Sequence, residues 1–270
     1  MSTPVVSIII AAYRAQGFIA DAVQSACAQA LREIEIVVAP DEPADYGFLQ
    51  QIDPRVRVLK GVPKPTGPGP ARNRALEHAR GRFIALLDAD DLFAPDYLSL
   101  LVPLADAGGV AFGRTRITDW SGRVVREVGA RGGEIGFADF ATAFASLHAV
   151  VPRDVQRRWQ DVLAEDVLFD LESLSLGGGR APFAGAAVYQ LRQRPQSVTR
   201  GAMFLDGIGP GYDRLIALVA AGETSIALAH RPSVIEVWRS WQAMNARFVA
   251  ATAAGDRRDY QRFAADAAAV

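Results

Sequence analysis

Apolar runs and helical periodicities alternate along the first half of the chain. Val5–Ala12 is rich in β-branched residues and predicts a strand. Gln16–Leu31 follows, with Ile19, Ala22, Val23, Ala26 and Ala30 at helical spacing. Ile34–Ala39 predicts a second strand, broken by Pro40 and Pro43, and Val56–Lys60 a short third. Pro63–Pro70 is dense in Pro and Gly and reads as a loop, and Ala71–Ala79 as a short helix stopped near Gly81. Phe83–Leu87 has no polar face to turn toward water and predicts a buried strand. This order implies an α/β fold with a mainly parallel sheet and helices over it.

The second half is looser. Pro95–Ala105 predicts a helix with Pro95 in its first turn and Pro103 ending or kinking it. Val110–Ile117 and Arg123–Val128 read as strands joined by a turn across Asp119–Gly122. Residues 136–176 look mostly helical, Gly177–Gly179 is a helix-to-strand turn, and Ala187–Arg192 is a further strand. Asp213–Ala221 predicts a helix stopping at Gly222. Val234, Val237, Trp238, Trp241, Met244, Phe248 and Ala251 then share one helix face. That stripe reads as core, with a dimer or membrane-surface contact as the alternative.

Half of the 270 residues are hydrophobic and 22% are charged, enough apolar surface for a sizeable core. The formal net charge of −1 gives no global attraction to nucleic acid or an anionic membrane. The single cysteine, Cys27, excludes an internal disulfide or a cysteine metal site and reads as a buried, inert thiol. With no signal peptide and no run long enough to span a bilayer, a reducing cytoplasm is the expected location.

The chemistry concentrates where Phe83–Leu87 ends in Asp88, Asp90 and Asp91. Carboxylates at such a strand exit lie at the mouth of a sheet, where open α/β folds bind ligands. Asp88 and Asp90 are two apart, so in extended chain they point the same way and can share a divalent cation. A turn with a helix N-cap is the alternative, and for Asp91 it is at least as good. Glu165-Asp166 is a second acidic pair, suited to proton transfer or to capping a helix over Val167–Leu174.

Six segments, in this order and spacing, resemble family 2 glycosyltransferases. They are Val6-Ser7-Ile8-Ile9-Ile10-Ala11-Ala12-Tyr13, Ile34-Glu35-Ile36-Val37-Val38 and Gly69-Pro70-Ala71-Arg72-Asn73-Arg74-Ala75. Then come Phe83–Asp91, Ala164-Glu165-Asp166-Val167-Leu168-Phe169, and Val188-Tyr189-Gln190-Leu191-Arg192 followed by Ser197. The resemblance implies the Rossmann-like GT-A fold over residues 1–200. Its donor half would run to about 112 and its acceptor half over about 113–200, with a helical extension over 201–270. It implies inverting transfer of a sugar from a nucleotide-diphosphate sugar to a glycan or lipid-linked acceptor in bacterial surface polysaccharide synthesis. Enzymes of this kind work in the cytoplasm or at the inner face of the cell membrane.

The same resemblance assigns roles. Asp90 and Asp88 would hold Mn2+ or Mg2+, Asp88 also lying near the donor ribose or sugar with Ala89. Asp166 would be the catalytic base, with Glu165 beside it. Ala12, Tyr13 and Asp41 would receive the nucleoside, and Arg72, Asn73, Arg192 and Ser197 the rest of the donor, Arg194 and Arg200 being nearby substitutes. His148 precedes the acidic pair and could approach the metal, although a structural histidine is the better reading. Two positions depart from the pattern. Ala11 stands where Pro is common, and Pro40-Asp41-Glu42-Pro43 where Asp-Asp-Gly-Ser is common, which puts uridine specificity in question. A sugar nucleotidyltransferase and a degenerate, non-catalytic binding subunit are the competing functions. The first needs a basic glycine-rich loop after strand one, which Ala11-Ala12-Tyr13-Arg14 is not.

Overall fold

The computed structural model describes residues 3–154, 157–194 and 202–267. The first sheet has the order β3-β2-β1-β4-β9. β1 (Val6–Ala12), β2 (Ile34–Pro40), β3 (Val56–Val58) and β4 (Phe83–Leu86) run parallel. β1 and β2 are buried along almost their whole length, as their continuous apolar runs require. The helices α1 (Ile19–Cys27) and α2 (Pro68–His78) make the crossovers. Beneath them, buried Glu35 accepts from Ser7 Oγ at 2.6 Å and from the Arg80 N–H at 2.5 Å, tying β1 and β2 to the start of β4.

The second sheet is mixed, in the order β5-β10-β6-β7. β6 (Phe112–Asp119) pairs antiparallel with β7 (Val124–Val128) and parallel with β10 (Arg180–Gln193). β10 also takes β5 (Leu92–Phe93) and β8 (Glu134–Gly136), both antiparallel. α3 (Tyr97–Gly108) follows β5. Between β8 and β10 along the chain come α4 (Phe137–Ala143), β9 (Val150–Pro152), which joins the edge of the first sheet, and α5 (Glu165–Leu176).

Several sequence expectations are corrected here. β2 runs through Pro40, because the bond that closes the ladder onto the Ala12 carbonyl comes from the Asp41 N–H at 2.7 Å and needs none from Pro40. α2 starts at Pro68, inside the expected loop, with a proline in its first turn where the missing N–H costs nothing. Pro103 lies on the exposed side of α3, and the helix continues past it to a left-handed Gly109. Residues 136–176 are only partly helical. Phe144 and His148 adopt left-handed backbone, and Val150-Val151-Pro152 then pairs antiparallel with β4.

α6 (Ala202–Ala221), α7 (Arg231–Ala253) and α8 (Tyr260–Ala267) follow. The stripe on α7 is core: Trp238 is fully buried, and Trp241 donates its indole N–H to the Phe140 carbonyl at 2.8 Å. The face that sequence left open to a dimer or a membrane is therefore covered by α4 and α6. No helix among the described residues is long and apolar enough to cross a membrane.

Candidate active site

The parallel strands deliver their C-terminal ends to one edge of the sheet, and the acidic residues gather there. β4 stops at Leu86, and Asp88–Asp91 forms a turn closed by an Asp91 N–H to Asp88 carbonyl bond of 3.1 Å. Arg72 reaches this turn from the second turn of α2. The residue is only 4% exposed, and its guanidinium spans two carboxylates. Nη2 lies 2.6 Å from Asp88 Oδ1, and Nη1 bonds Glu165 at the start of α5. Burial works against the Arg72 charge, but Asp88, Glu165 and Asp166 more than offset it and hold the group protonated.

The bridge depends on how α2 meets the loop before α5. A Cβ on Gly69 would stand 2.7 Å from the Gln160 carbonyl oxygen, so only glycine permits this approach. Asn73 exchanges two bonds with the Trp159 backbone, donating at 2.8 Å and accepting at 2.9 Å. Asn73 therefore fixes the loop, and its amide is already engaged.

Burial pushes the Glu165 carboxyl up to about 7; Arg72 opposes the shift and Asp166 adds to it. For Asp88, burial is outweighed by Arg72 and His148, and the carboxyl sits below its ordinary range. Asp166 occupies the first turn of α5 and accepts a bond from Ser146 Oγ. It faces a cavity of about 320 Å³, within the size range of small-molecule sites. Asp88, Glu165, Ser146, Tyr212, Trp241 and Tyr260 are among its walls. Residues beyond 201 thus contribute directly to the space at the carboxylates.

Asp91 does not cap a helix, since α3 begins only at Tyr97. It is buried, accepting from the Tyr189 hydroxyl at 2.8 Å and the Arg192 N–H at 2.7 Å. Burial, then the charges of Asp90 and Asp88, push its carboxyl well above the usual range. Asp90 is paired with Arg194, Nε to Oδ2, at 2.6 Å. Burial and Asp88 raise its carboxyl, and Arg194 opposes them. Asp88, Asp91 and His148 each offer an atom within 4.8 Å of the others. Neither ring nitrogen of His148 makes a hydrogen bond among the described residues, and the side chain is 1% exposed. Two carboxylates and an imidazole with free nitrogens fit a divalent cation.

The remaining sequence candidates are placed unevenly. Ala12 closes β1, and Tyr13 beyond it is exposed, on the same sheet edge as Asp88. Asp41 is buried and already accepts from the N–H and hydroxyl of Thr66 and the N–H of Gly67, so it fixes the entry to α2. Ala89 lies in the acidic turn. Arg192 donates to the Asp90 carbonyl at 2.5 Å and to Asp21 at 3.0 Å, and packs over the Trp120 ring. Ser197 and Arg200 lie outside the described residues. Sequence reasoning missed Ser146 and Tyr189 as the partner of Asp91; it considered His148 near the metal but preferred a structural histidine, and the structure sets it beside Asp88 and Asp91. Tyr189 stands within a matched segment; Ser146 carried no signal.

Residues 7–140 match the family model described as glycosyl transferase family 2. The succinoglycan biosynthesis protein ExoO of Rhizobium meliloti is 39% identical over 128 residues, 46% of this chain and 36% of that protein. The UDP-Glc:alpha-D-GlcNAc-diphosphoundecaprenol beta-1,3-glucosyltransferase WfgD of Escherichia coli is 31% identical over 115 residues, 42% of this chain and 45% of that protein. The match spans less than half the length of either relative. The structure of S. aureus TarS 1-349 with UDP-GlcNAc superposes with a TM-score of 0.64 at 19% identity, over 85% of this chain and 70% of that one. The mannosyltransferase PcManGT from Pyrobaculum calidifontis, in complex with GDP-Man and Mn2+, gives 0.60 at 17% identity, over 100% of this chain and 81% of that one. These neighbours share the GT-A fold with this chain.

Proposed function

We propose that this chain, whose residues 7–140 match the glycosyl transferase family 2 model, is an inverting transferase of that family acting on a nucleoside-diphosphate sugar. The observation that carries this reading is the convergence of Asp88, Arg72, Glu165 and Asp166 on one cavity at the C-terminal edge of the parallel sheet. An acceptor hydroxyl attacks the anomeric carbon, the bond from that carbon to the diphosphate oxygen breaks, and Asp166 takes the hydroxyl proton. Configuration inverts because attack comes from the face opposite the leaving diphosphate.

Arg72 holds Asp88 and Glu165 in place, so the edge facing the donor is fixed before substrate arrives. Exposed Tyr13 offers a ring face to the base. Ser146 orients Asp166. The cavity walls from α6, α7 and α8 give the acceptor sugar an apolar and aromatic surface beside the base, so the terminal helices belong to the acceptor side. The carboxylates that end β4 would hold Mn2+ or Mg2+. Such a cation neutralises charge on the departing diphosphate.

The relatives named for succinoglycan and for a diphosphoundecaprenol-linked sugar support a glycan or lipid-linked acceptor and a role in surface polysaccharide synthesis. Thermal-shift screening of UDP, GDP, CMP and dTDP sugars, with and without Mn2+, tests the donor. One family of donors should raise the melting temperature, and more so with Mn2+. Stabilisation by none of them would refute the reading.

A further inference from the structure

The cavity beside Asp166 is walled for a ligand without charge. Phe144, Tyr212, Trp241 and Tyr260 form part of that wall, and the Trp241 indole N–H is already given to the Phe140 carbonyl at 2.8 Å. Aromatic surface of this kind packs against the C–H face of a sugar ring. At about 320 Å³ the space lies at the lower end of small-molecule sites, which suits a single ring better than a longer glycan.

The wall offers that ring no counter-ion. Arg192 is its one basic residue among the described residues. The Arg192 guanidinium turns to the face of β10 opposite Tyr189, where it meets Asp21 at 3.0 Å, the Asp90 carbonyl and the Trp120 ring. Arg72 is held by Asp88 and Glu165, and Arg194 by Asp90. Arg126 is not on the wall and donates to Gln261 and to the carbonyls of Ala143 and Phe144. A carboxylate on the acceptor would therefore stand near Asp166 with no cation to pair with, and would lose hydration against aromatic rings.

Gln193 supplies a polar contact instead. Strand alternation sets it on the same face of β10 as Tyr189, the partner of Asp91. It lies on the cavity wall and is 4% exposed. Nε2 donates to Asp259 Oδ1 at 3.4 Å, and because a carboxylate only accepts, this contact fixes which end of the amide is which. Oε1 is left buried with no hydrogen-bond partner among the described residues. Gln261, the other glutamine on the wall, is fully engaged: Oε1 accepts from Arg126 Nε at 2.8 Å, and Nε2 donates to the Phe144 carbonyl at 3.1 Å. A buried acceptor without a donor is costly, and a hydroxyl brought by the substrate removes that cost.

We infer that the cavity selects an uncharged terminal sugar on the acceptor, with Gln193 Oε1 accepting from one of its hydroxyls, and that it rejects a uronic acid in the same place. The inference rests on the transferase reading and deepens it by naming the acceptor class and a residue that reads it.

The test uses the full chain with Mn2+ and the nucleotide sugar that binds. The phenyl glycosides of glucose, galactose, mannose and N-acetylglucosamine are offered as acceptors, each beside its C6-carboxylate counterpart. Transfer, and binding by saturation-transfer NMR, should occur with at least one neutral glycoside. Both should fall by about 100-fold or more for its uronide, the scale set by an uncompensated charge at a buried site. Gln193→Leu removes the acceptor oxygen at similar size and should lower kcat/KM for the neutral acceptor about 3- to 10-fold with donor affinity unchanged. Gln193→Lys places an ammonium on the wall and should narrow the neutral-to-uronide ratio about 10-fold. Equal transfer to a neutral glycoside and its uronide by the wild-type chain would overturn the charge selection, and that comparison needs no variant. An unchanged kcat/KM in Gln193→Leu, or an unchanged ratio in Gln193→Lys, would overturn the role of Gln193. Donor binding with neither set of glycosides bound or glycosylated would overturn the single-sugar site and leave the donor side intact. If no nucleotide sugar bound under any condition, the transferase reading itself would fail.

Discussion

Arg72→Met tests the bridge between the two halves of the site. The substitution keeps much of the side-chain volume and removes the charge shared by Asp88 and Glu165. Removing one partner from a buried ion pair costs about 3–5 kcal/mol, because the other charge is left uncompensated. Asp88 keeps 30% of its side chain in solvent, so its share is discounted and Glu165 dominates. Glu165 also supplies a pH signature. Its carboxyl is raised in the folded chain from an ordinary 4.5 to about 7, first by burial. Such a group takes up a proton on folding, so its contribution to stability is full below about pH 4.5 and is lost as pH rises toward about 7. Arg72 is the cation that restrains this rise, so the variant carries Glu165 higher still. The destabilisation should therefore be greatest near about pH 8. It should shrink by up to about 1.4 kcal/mol per pH unit on going down to about pH 6, as Glu165 becomes neutral. Urea unfolding followed by fluorescence of the four tryptophans reads both quantities. A loss below about 1 kcal/mol at the higher pH, or one that does not change with pH, would refute the assignment of Arg72 as the shared counter-ion of a buried Glu165.

Gly69→Ala should destabilise the chain by about 1–3 kcal/mol by forcing α2 away from Gln160, and should weaken donor binding as Arg72 moves with it; unchanged melting and donor affinity would contradict the close packing seen here. The Cys27 thiol is pushed up to about 11, by burial and then by Asp53, so native protein at about pH 8 should react with a disulfide reagent far more slowly than unfolded protein; equal rates would show the thiol to be accessible and normal. Trp241→Ala should cost about 3–5 kcal/mol and enlarge the cavity at Asp166, raising the KM for acceptor more than for donor; a purely donor-side effect would move α7 to the other side of the site.

Much of the fold is legible because burial on both faces leaves a continuous apolar run. β1, β2 and β4 stand out in the sequence for that reason, and their order alone requires parallel pairing. β9 has three residues, too few to show a period, and it exists only because β4 offers an edge. The first turn of α2 was hidden because Pro68 and Pro70 look like loop residues when their place at a helix start is unknown. The carboxylates could be found in the sequence, but their partners could not. Arg72 and Glu165 are 93 residues apart, and Tyr189 reaches Asp91 across 98. His148 shows the limit most clearly, since its left-handed backbone depends on Tyr97 and Asp170, neither of which carries a local signal. The stripe around Trp241 read correctly as core, but its second use as a cavity wall depends on where α7 docks.

Asp166→Asn gives the most direct test of the central claim that this cavity transfers sugar with Asp166 as the base. Donor affinity by calorimetry and single-turnover transfer to a lipid-diphosphate sugar acceptor should be measured side by side with the wild-type chain. The base acts on the acceptor hydroxyl and leaves the donor diphosphate untouched. Donor and Mn2+ binding should therefore be preserved while transfer falls by about 10²–10⁴-fold. Transfer at a near-normal rate with Asn at position 166 would contradict the account and move the proton to another carboxylate.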